Sequence, residues 1–363
     1  TFDKDLEKLK NYDWICEAII ENANAKRELI KRVEEVRSDH TILTSNTSGI
    51  LLKEISDGMP DRLKRKLAVT HFFNPVKAMK LLEIIPGKDT DPETIEILDH
   101  FCTQTLGKGV VIAKDTISFI ANRIGCFFMF IGLHKGKEAL DKGLNQERVD
   151  SILSTPIGLP STGLYSLYDL IGLDVMEMIG KNFAANLPEG DMGRQYGEFP
   201  EAEKEMIENG QFGRKTGGGF FRMTKNDDGS RNKETYDLIT KSWRPQLKEE
   251  LAINDISILF DDSPDGVLAW DVYGTTLCYA ANLVPIIADD IISVDRAMQW
   301  GFNWSNGPFK AMDNIGPHKI IDKLEKEGIE LPHMLKVLKE NNAESFYNDQ
   351  DEQLSPEGNW ISI

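Results

Sequence analysis

A change of pattern near residue 118 constrains this chain most. Before it, short apolar runs alternate with charged stretches of helical length; beyond it, apolar residues recur at helical spacing and strand-like runs disappear. The runs are Tyr12–Ile20, Thr41–Ser45, Lys66–Phe72, Lys80–Ile85 and Val110–Ala113, and the helical stretches fall at Thr1–Asn11, Asn24–Arg37, Leu51–Ile55 and Pro92–Leu106. Alternation of this kind predicts a parallel α/β sheet with helices on its faces.

The remainder reads as two related all-helical units. Val149-Asp150 is repeated at Val294-Asp295, and Gly163, Asp169 and Gly172 recur as Gly307, Asp313 and Gly316 once a single deletion is allowed. Self-similarity of this kind points to internal duplication. The expected layout is an α/β unit over 1–115, a helical unit over 116–224, a polar connecting segment over 225–266, a second helical unit over 267–350 and a tail over 351–363. With 363 residues, two or three domains are expected.

Charge and composition exclude several function classes. Against 42 basic residues stand 59 acidic ones, for a net charge of −17, which disfavours a nucleic-acid partner whose phosphates need Lys and Arg. The richest apolar stretch, Phe119–Leu133, is interrupted by Asn122, Arg123, Gly125 and Gly132, so no membrane span is expected. The opening TFDKDLEKLK carries no signal-peptide pattern. Cys16, Cys102, Cys126 and Cys278 form no CxxC pair and have no His at metal-like spacing. They read as reduced, core-packed thiols with no zinc site, which suits a cytoplasmic protein first and a mitochondrial matrix or peroxisomal one second.

Of six histidines, His71 stands apart because it closes the apolar strand KLAVTHFFNP. In open α/β sheets ligands bind outside the carboxyl ends of the strands, so a strand-terminal His is placed to meet a substrate. Glu83 lies within the apolar run KLLEIIPG, where a carboxylate is costly to bury without a partner. Were the two segments adjacent, Glu83 would fix the His71 tautomer and leave the other ring nitrogen as a general base. The alternative is a satisfied core His and a solvated edge Glu. Ser48, in NTSG after the second strand, reads either as a substrate contact or as an N-cap for Leu51–Ile55. Asn122 interrupts an apolar helix and wants a partner, for which a bound substrate is one source.

Five blocks, CEAIIEN, TSNTSG, HFFNPVKAMKLLEIIPG, KDTISFIANR and GRKTGGGFF, occur in this order. Together the chain resembles the 3-hydroxyacyl-CoA dehydrogenase family, in its larger form with two copies of the helical domain. The resemblance implies a partial Rossmann-like NAD-binding domain followed by two related helical C-terminal domains. It implies His71 as catalytic base, Glu83 as its carboxylate partner, Ser48 and Asn122 on the reacting oxygens of the substrate, and Glu21, Lys26, Ser48 and Asn74 as contacts to NAD. The implied reaction is oxidation of 3-hydroxyacyl-CoA to 3-ketoacyl-CoA with NAD+. Fused or associated enoyl-CoA hydratase and thiolase are the implied partners. The second helical copy is expected to be architectural, closing an internal pseudo-dimer.

Two departures accompany the resemblance. The Gly-rich turn that holds the NAD pyrophosphate in the family has no counterpart here, and Gly217-Gly218-Gly219 lies in the wrong context to replace it. That implies a fragment of a longer polypeptide; the competing explanation is a natural short form unable to bind NAD alone. Ile117-Ser118 also stands where the family usually has Pro-Gly. Two other functions stay open on the residues: a dehydrogenase of another hydroxy substrate, such as 3-hydroxybutyryl-CoA or a sugar acid, and a non-catalytic, crystallin-like structural relative.

Overall fold

The computed structural model describes residues 5–225, 229 and 231–363. Five strands, β1 (Trp14–Glu17), β2 (Ile42–Ser45), β3 (Leu67–Phe72), β4 (Leu81–Pro86) and β5 (Gly109–Ile112), form one sheet in sequence order. β1, β2 and β3 run parallel, and so do β4 and β5, but β3 and β4 are antiparallel. The expected wholly parallel sheet is corrected at this pairing. A parallel connection needs a crossover of about a dozen residues or more, and the link from Phe73 to Lys80 is too short for one.

Alternate residues of each strand face opposite sides. Ile42, Ala68, Leu82 and Ile84 pack with Leu98 and Cys102 of helix Pro92–Gln104. Leu43, Val69, Leu81 and Ile85 belong to the main core, which continues into the helical units. The expected strand at Tyr12–Ile20 is limited to β1, and Ile19 and Ile20 beyond it are 42% and 72% exposed. The expected N-terminal helix appears as a 3-10 helix at Leu6–Asn11, with residues 1–4 of that stretch outside the described residues.

Helix α1 (Ala121–Asp141) is buried around most of its circumference, as its nearly continuous apolar character requires. Helices α2 (Gln146–Ile152) and α3 (Leu164–Ile171) follow. Asp150 on α2 accepts hydrogen bonds from the amides of Tyr165 and Ser166 in the first turn of α3, at 2.6 and 3.1 Å. Asp169 on α3 in turn accepts from the amides of Phe220 and Phe221, at 2.8 and 2.7 Å. The second unit repeats both devices with α4 (Thr275–Leu283), α5 (Ile291–Phe302) and α6 (Pro308–Ile315). Asp295 accepts from Phe309 and Lys310 at 2.8 and 2.9 Å, and Asp313 from Phe346 and Tyr347 at 2.7 and 3.1 Å.

The repeated glycines follow from the same geometry. A Cβ on Gly163 would lie 2.6 Å from Asp150 Cβ, and one on Gly307 would lie 2.2 Å from Asp295 Cα. In TGGGFF, a Cβ on Gly219 would come within 1.9 Å of Asp169 Oδ1, so the glycine run is an Asp-binding turn. Burial pushes Asp150 and Asp295 up to about 7, and Asp169 and Asp313 up to about 6, against amide hydrogen bonds that favour the charged forms.

The two units are packed against each other along α1. Phe127 stacks on Tyr279 with ring centroids 4.0 Å apart. Arg123 donates to the Tyr279 hydroxyl at 2.6 Å and pairs with Asp191, which also accepts from that hydroxyl at 2.8 Å. An antiparallel sheet of Phe221–Lys225, Arg231–Asp237 and Ser242–Pro245 joins the end of the expected first helical unit to the polar stretch expected as a connector. Glu147 binds it to α2, accepting from Thr235 at 2.7 Å and pairing with Arg244 at 2.7 Å. The tail forms a hairpin of Glu352–Leu354 and Trp360–Ser362, and Gln353 accepts from the Ile292 amide at 3.0 Å.

Cys102, Cys126 and Cys278 are buried, and burial pushes each thiol up to about 12. Cys16 corrects the expectation of four core thiols, for it is exposed on edge strand β1. Among the described residues no helix is long and apolar enough to cross a membrane.

Candidate active site

The antiparallel turn between β3 and β4 builds the site. It sets His71 and Glu83 directly opposite each other in register, side chains on the same face. His71 Nδ1 lies 2.7 Å from Glu83 Oε2, and His71 Nε2 lies 3.0 Å from Ser48 Oγ. Glu83 is fully buried and His71 is 3% exposed, flanked by the rings of Phe73 and Phe119 at 4.5 and 5.5 Å.

A carboxylate accepts only, so with a neutral imidazole Nδ1–H donates to Glu83 and Nε2 accepts from the Ser48 hydroxyl. Nε2 is thereby the proton-accepting atom, and it faces the exposed loop that carries Ser48. The remaining oxygen of Glu83 is also committed. Oε1 accepts from the amides of Ile120 and Ala121, at 3.1 and 2.9 Å, at the start of α1. A helix N-terminus favours a negative charge, which helps hold this buried group as an acceptor.

Ser48 is not a helix cap. Asp115 caps the short helix Leu52–Ile55, accepting from the amides of Leu52 and Lys53 at 2.7 and 2.9 Å. The Ser48 hydroxyl is therefore available to His71. Glu21 fixes the Ser48 backbone, its Oε1 accepting from the amides of Ser48 and Gly49 at 2.9 and 3.0 Å and from Thr47 Oγ1 at 2.5 Å. Lys26 is fully buried, 3.0 Å from Glu17 and 3.6 Å from Glu21. Glu17 also accepts from the Ser45 hydroxyl. Lys26 thus acts through the loop's support, its charge already met by two carboxylates.

Asn122 sits one residue into α1 and lines, with Asn74 and Phe73, a cavity of about 720 Å³. The structure therefore divides the seven residues singled out from sequence. His71, Glu83 and Ser48 form one hydrogen-bonded line, Glu21 and Lys26 stand behind Ser48, and Asn122 and Asn74 border the adjoining cavity. Sequence reasoning missed Glu17 and Asp115. Glu17 carries the signal that exposed Glu83, a carboxylate inside an apolar run; Asp115 gives none, since its partners are amides of a distant helix.

Residues that suit the nicotinamide end of a dinucleotide are present at the carboxyl edge of β1. Ile19 and Ile20 offer exposed apolar surface there, beside the polar cluster of Glu21 and the Ser48 loop. The pyrophosphate-binding Gly-rich turn is not among these 363 residues.

Residues 1–116 match the family model "3-hydroxyacyl-CoA dehydrogenase, NAD binding domain", and residues 119–223 match "3-hydroxyacyl-CoA dehydrogenase, C-terminal domain". A probable 3-hydroxyacyl-CoA dehydrogenase of Bacillus subtilis is 37% identical over 95% of this chain and 44% of its own length. A putative fatty acid oxidation complex trifunctional enzyme of Rickettsia felis is 35% identical over 92% of this chain and 46% of its own. The chain thus spans about half the length of these curated relatives. In fold, the crystal structure of Escherichia coli 3-hydroxybutyryl-CoA dehydrogenase is similar, with a TM-score of 0.64, 22% identity, and coverage of 92% of this chain and 82% of that one.

Proposed function

This chain belongs to the 3-hydroxyacyl-CoA dehydrogenase family, and on that premise we propose that it is the dehydrogenase module of a fatty-acid β-oxidation enzyme, oxidising L-3-hydroxyacyl-CoA to 3-ketoacyl-CoA. The supporting observation is the line Glu83–His71–Ser48, buried at Glu83 and His71, with its 2.7 and 3.0 Å contacts leaving Nε2 as the accepting atom. Bound NAD+ supplies the acceptor for the hydride leaving C3 of the substrate.

The protein's own groups handle the proton and the geometry. His71 Nε2 takes the 3-hydroxyl proton as general base. Glu83 keeps Nδ1 protonated and stabilises the imidazolium that results. Ser48 and Asn122 hold the reacting oxygens, so that C3 is presented in one orientation. Glu21 and Lys26 fix the Ser48 loop on the cofactor side, and Asn74 completes the cofactor contacts. Phe73 and Phe119 keep bulk water from the His71 ring.

The name of the Rickettsia relative supports association with further β-oxidation activities, which we assign as enoyl-CoA hydratase and thiolase. Four thiols without a disulfide suit a reducing compartment, bacterial cytoplasm before matrix or peroxisome. The test is NADH formation from 3-hydroxyacyl-CoA by the full-length protein. His71→Gln is expected to lower kcat by about 10²–10⁴-fold with an unchanged circular dichroism spectrum. A variant as active as wild type would remove His71 from the chemistry and this reading with it.

A further inference from the structure

The cavity beside His71 is built from three parts of the chain. Phe73 and Asn74 enter from the loop after β3, Asn122 and Phe128 from α1, and Leu170 from α3. The segment between α2 and α3 adds Leu159 and Pro160, and a further wall comes from the second helical unit, through Phe302 and Trp304 at the end of α5. At about 720 Å³ it falls in the size range of small-molecule sites, and its lining is mostly apolar with a few amide side chains.

Side chains of the second unit interlock with α1 at successive turns below Asn122. A Cβ on Gly125 would come within 2.2 Å of the Phe302 ring, so that ring occupies a notch that only glycine leaves open. Further along, Trp304 meets Phe128 edge-on, with centroids 6.0 Å apart. Six residues of helix separate Asn122 from Phe128, a rise of about 9 Å. Asn303, at φ 55, ends α5 between the two aromatic residues. Trp304 is buried, whereas Phe302 remains partly accessible from the cavity, and Leu170 is 56% exposed at its rim.

We propose that this cavity takes the acyl chain of the thioester, running from Asn122 along α1, and that Phe302 of the second helical unit limits the chain length accepted. The proposal rests on the dehydrogenase reading above. It gives the second unit a substrate-contacting role in addition to its packing role, on a side chain that carries no proton or hydride chemistry. An apolar wall recognises methylene groups by burial alone, so its effect should grow with chain length.

The test is kcat/KM across a series of 3-ketoacyl-CoA thioesters, from acetoacetyl-CoA to 3-ketopalmitoyl-CoA, in the NADH-oxidising direction with the full-length protein. Phe302→Ala is expected to raise the ratio of long-chain to short-chain kcat/KM by about tenfold, mostly through KM. Leu170→Trp, at an exposed position that does not threaten the fold, is expected to lower the same ratio. An unchanged ratio in Leu170→Trp and in any folded Phe302→Ala, with wild type active on acetoacetyl-CoA, overturns the assignment of the cavity and leaves the dehydrogenase reading intact. A wild-type protein that turns over none of the series overturns that reading, and this inference with it.

Discussion

The two helical units share a scaffold and differ in what they tie it to. Asp150 and Asp295 each close the first turn of the next helix, and Asp169 and Asp313 each seize two amides of a returning segment. Their entries are unlike. The second unit opens with a helix, Pro264–Ala269, that caps itself, Ser263 accepting from the Gly266 amide. The first opens with α1, which lacks a side-chain cap of its own and is held by Glu83 from the sheet. The carboxylate that orients His71 is therefore also the clamp on the helix that carries Asn122. Duplication preserved the packing device in both copies, while the link to chemistry lies in the first and the apolar wall in the second.

The sharpest way to break this comparison is to remove the shared device from each copy in turn. Asp150→Ala and Asp295→Ala each leave two buried amides without an acceptor, and each should cost about 3 kcal/mol in urea unfolding. If one is neutral and the other is not, the copies do not use the device alike.

A pH effect from a carboxylate with no hydrogen-bond partner belongs, among the described residues, to the first unit alone. Glu203 is buried there with neither oxygen hydrogen-bonded, near the equally unpartnered hydroxyls of Tyr165 and Tyr168, and desolvation pushes it up to about 8. Because the folded value lies above the ordinary 4.5, the protonated form favours the fold. Its contribution is fully present below about 4.5 and is lost as pH rises through about 8. Glu203→Gln should flatten the fall in Tm between about pH 4.5 and 8, with a gain of about 1–3 kcal/mol at the alkaline end. An unaltered pH profile would show that Glu203 is solvated. The second unit contains no such carboxylate among the described residues.

The smallest expected effect is at the first unit's entry. Ser118 and Phe119 adopt φ of 62° and 52°, a left-handed conformation disfavoured for residues with a Cβ. Ser118→Gly should stabilise the protein by up to about 1 kcal/mol, read as a higher urea midpoint. A lower midpoint would mean that the Ser118 side chain contributes more than its backbone costs.

The legibility of these features in the amino-acid sequence follows their range. Strands and helices of the α/β part lie within a few residues of their expected positions because burial on both faces writes apolar runs into them. His71, Glu83 and Ser48 were readable as candidates because each breaks a local pattern. The duplication was readable through an Asp and Gly spacing that the hydrogen bonds explain. What escaped depends on partners far away in sequence. The antiparallel β3–β4 pairing is set by loop length, the Asp115 cap by amides at 52 and 53, and the surface sheet after residue 220 by strands too polar to form apolar runs. The contact of Phe302 with Gly125 is hidden for the same reason, since the two residues meet only in three dimensions.

Glu83→Gln tests the central claim most directly, because Glu83 joins sheet, histidine and first helical unit. A Gln carbonyl can still accept from the amides of Ile120 and Ala121, but its amide donates to Nδ1 and imposes the wrong tautomer, with Nε2 protonated. Steady-state kinetics of this variant should give a kcat at least about 10²-fold below wild type across the pH range, with the fold retained by circular dichroism. A kcat within a few fold of wild type, with the same pH profile, would contradict the assignment of Glu83–His71 as the catalytic pair.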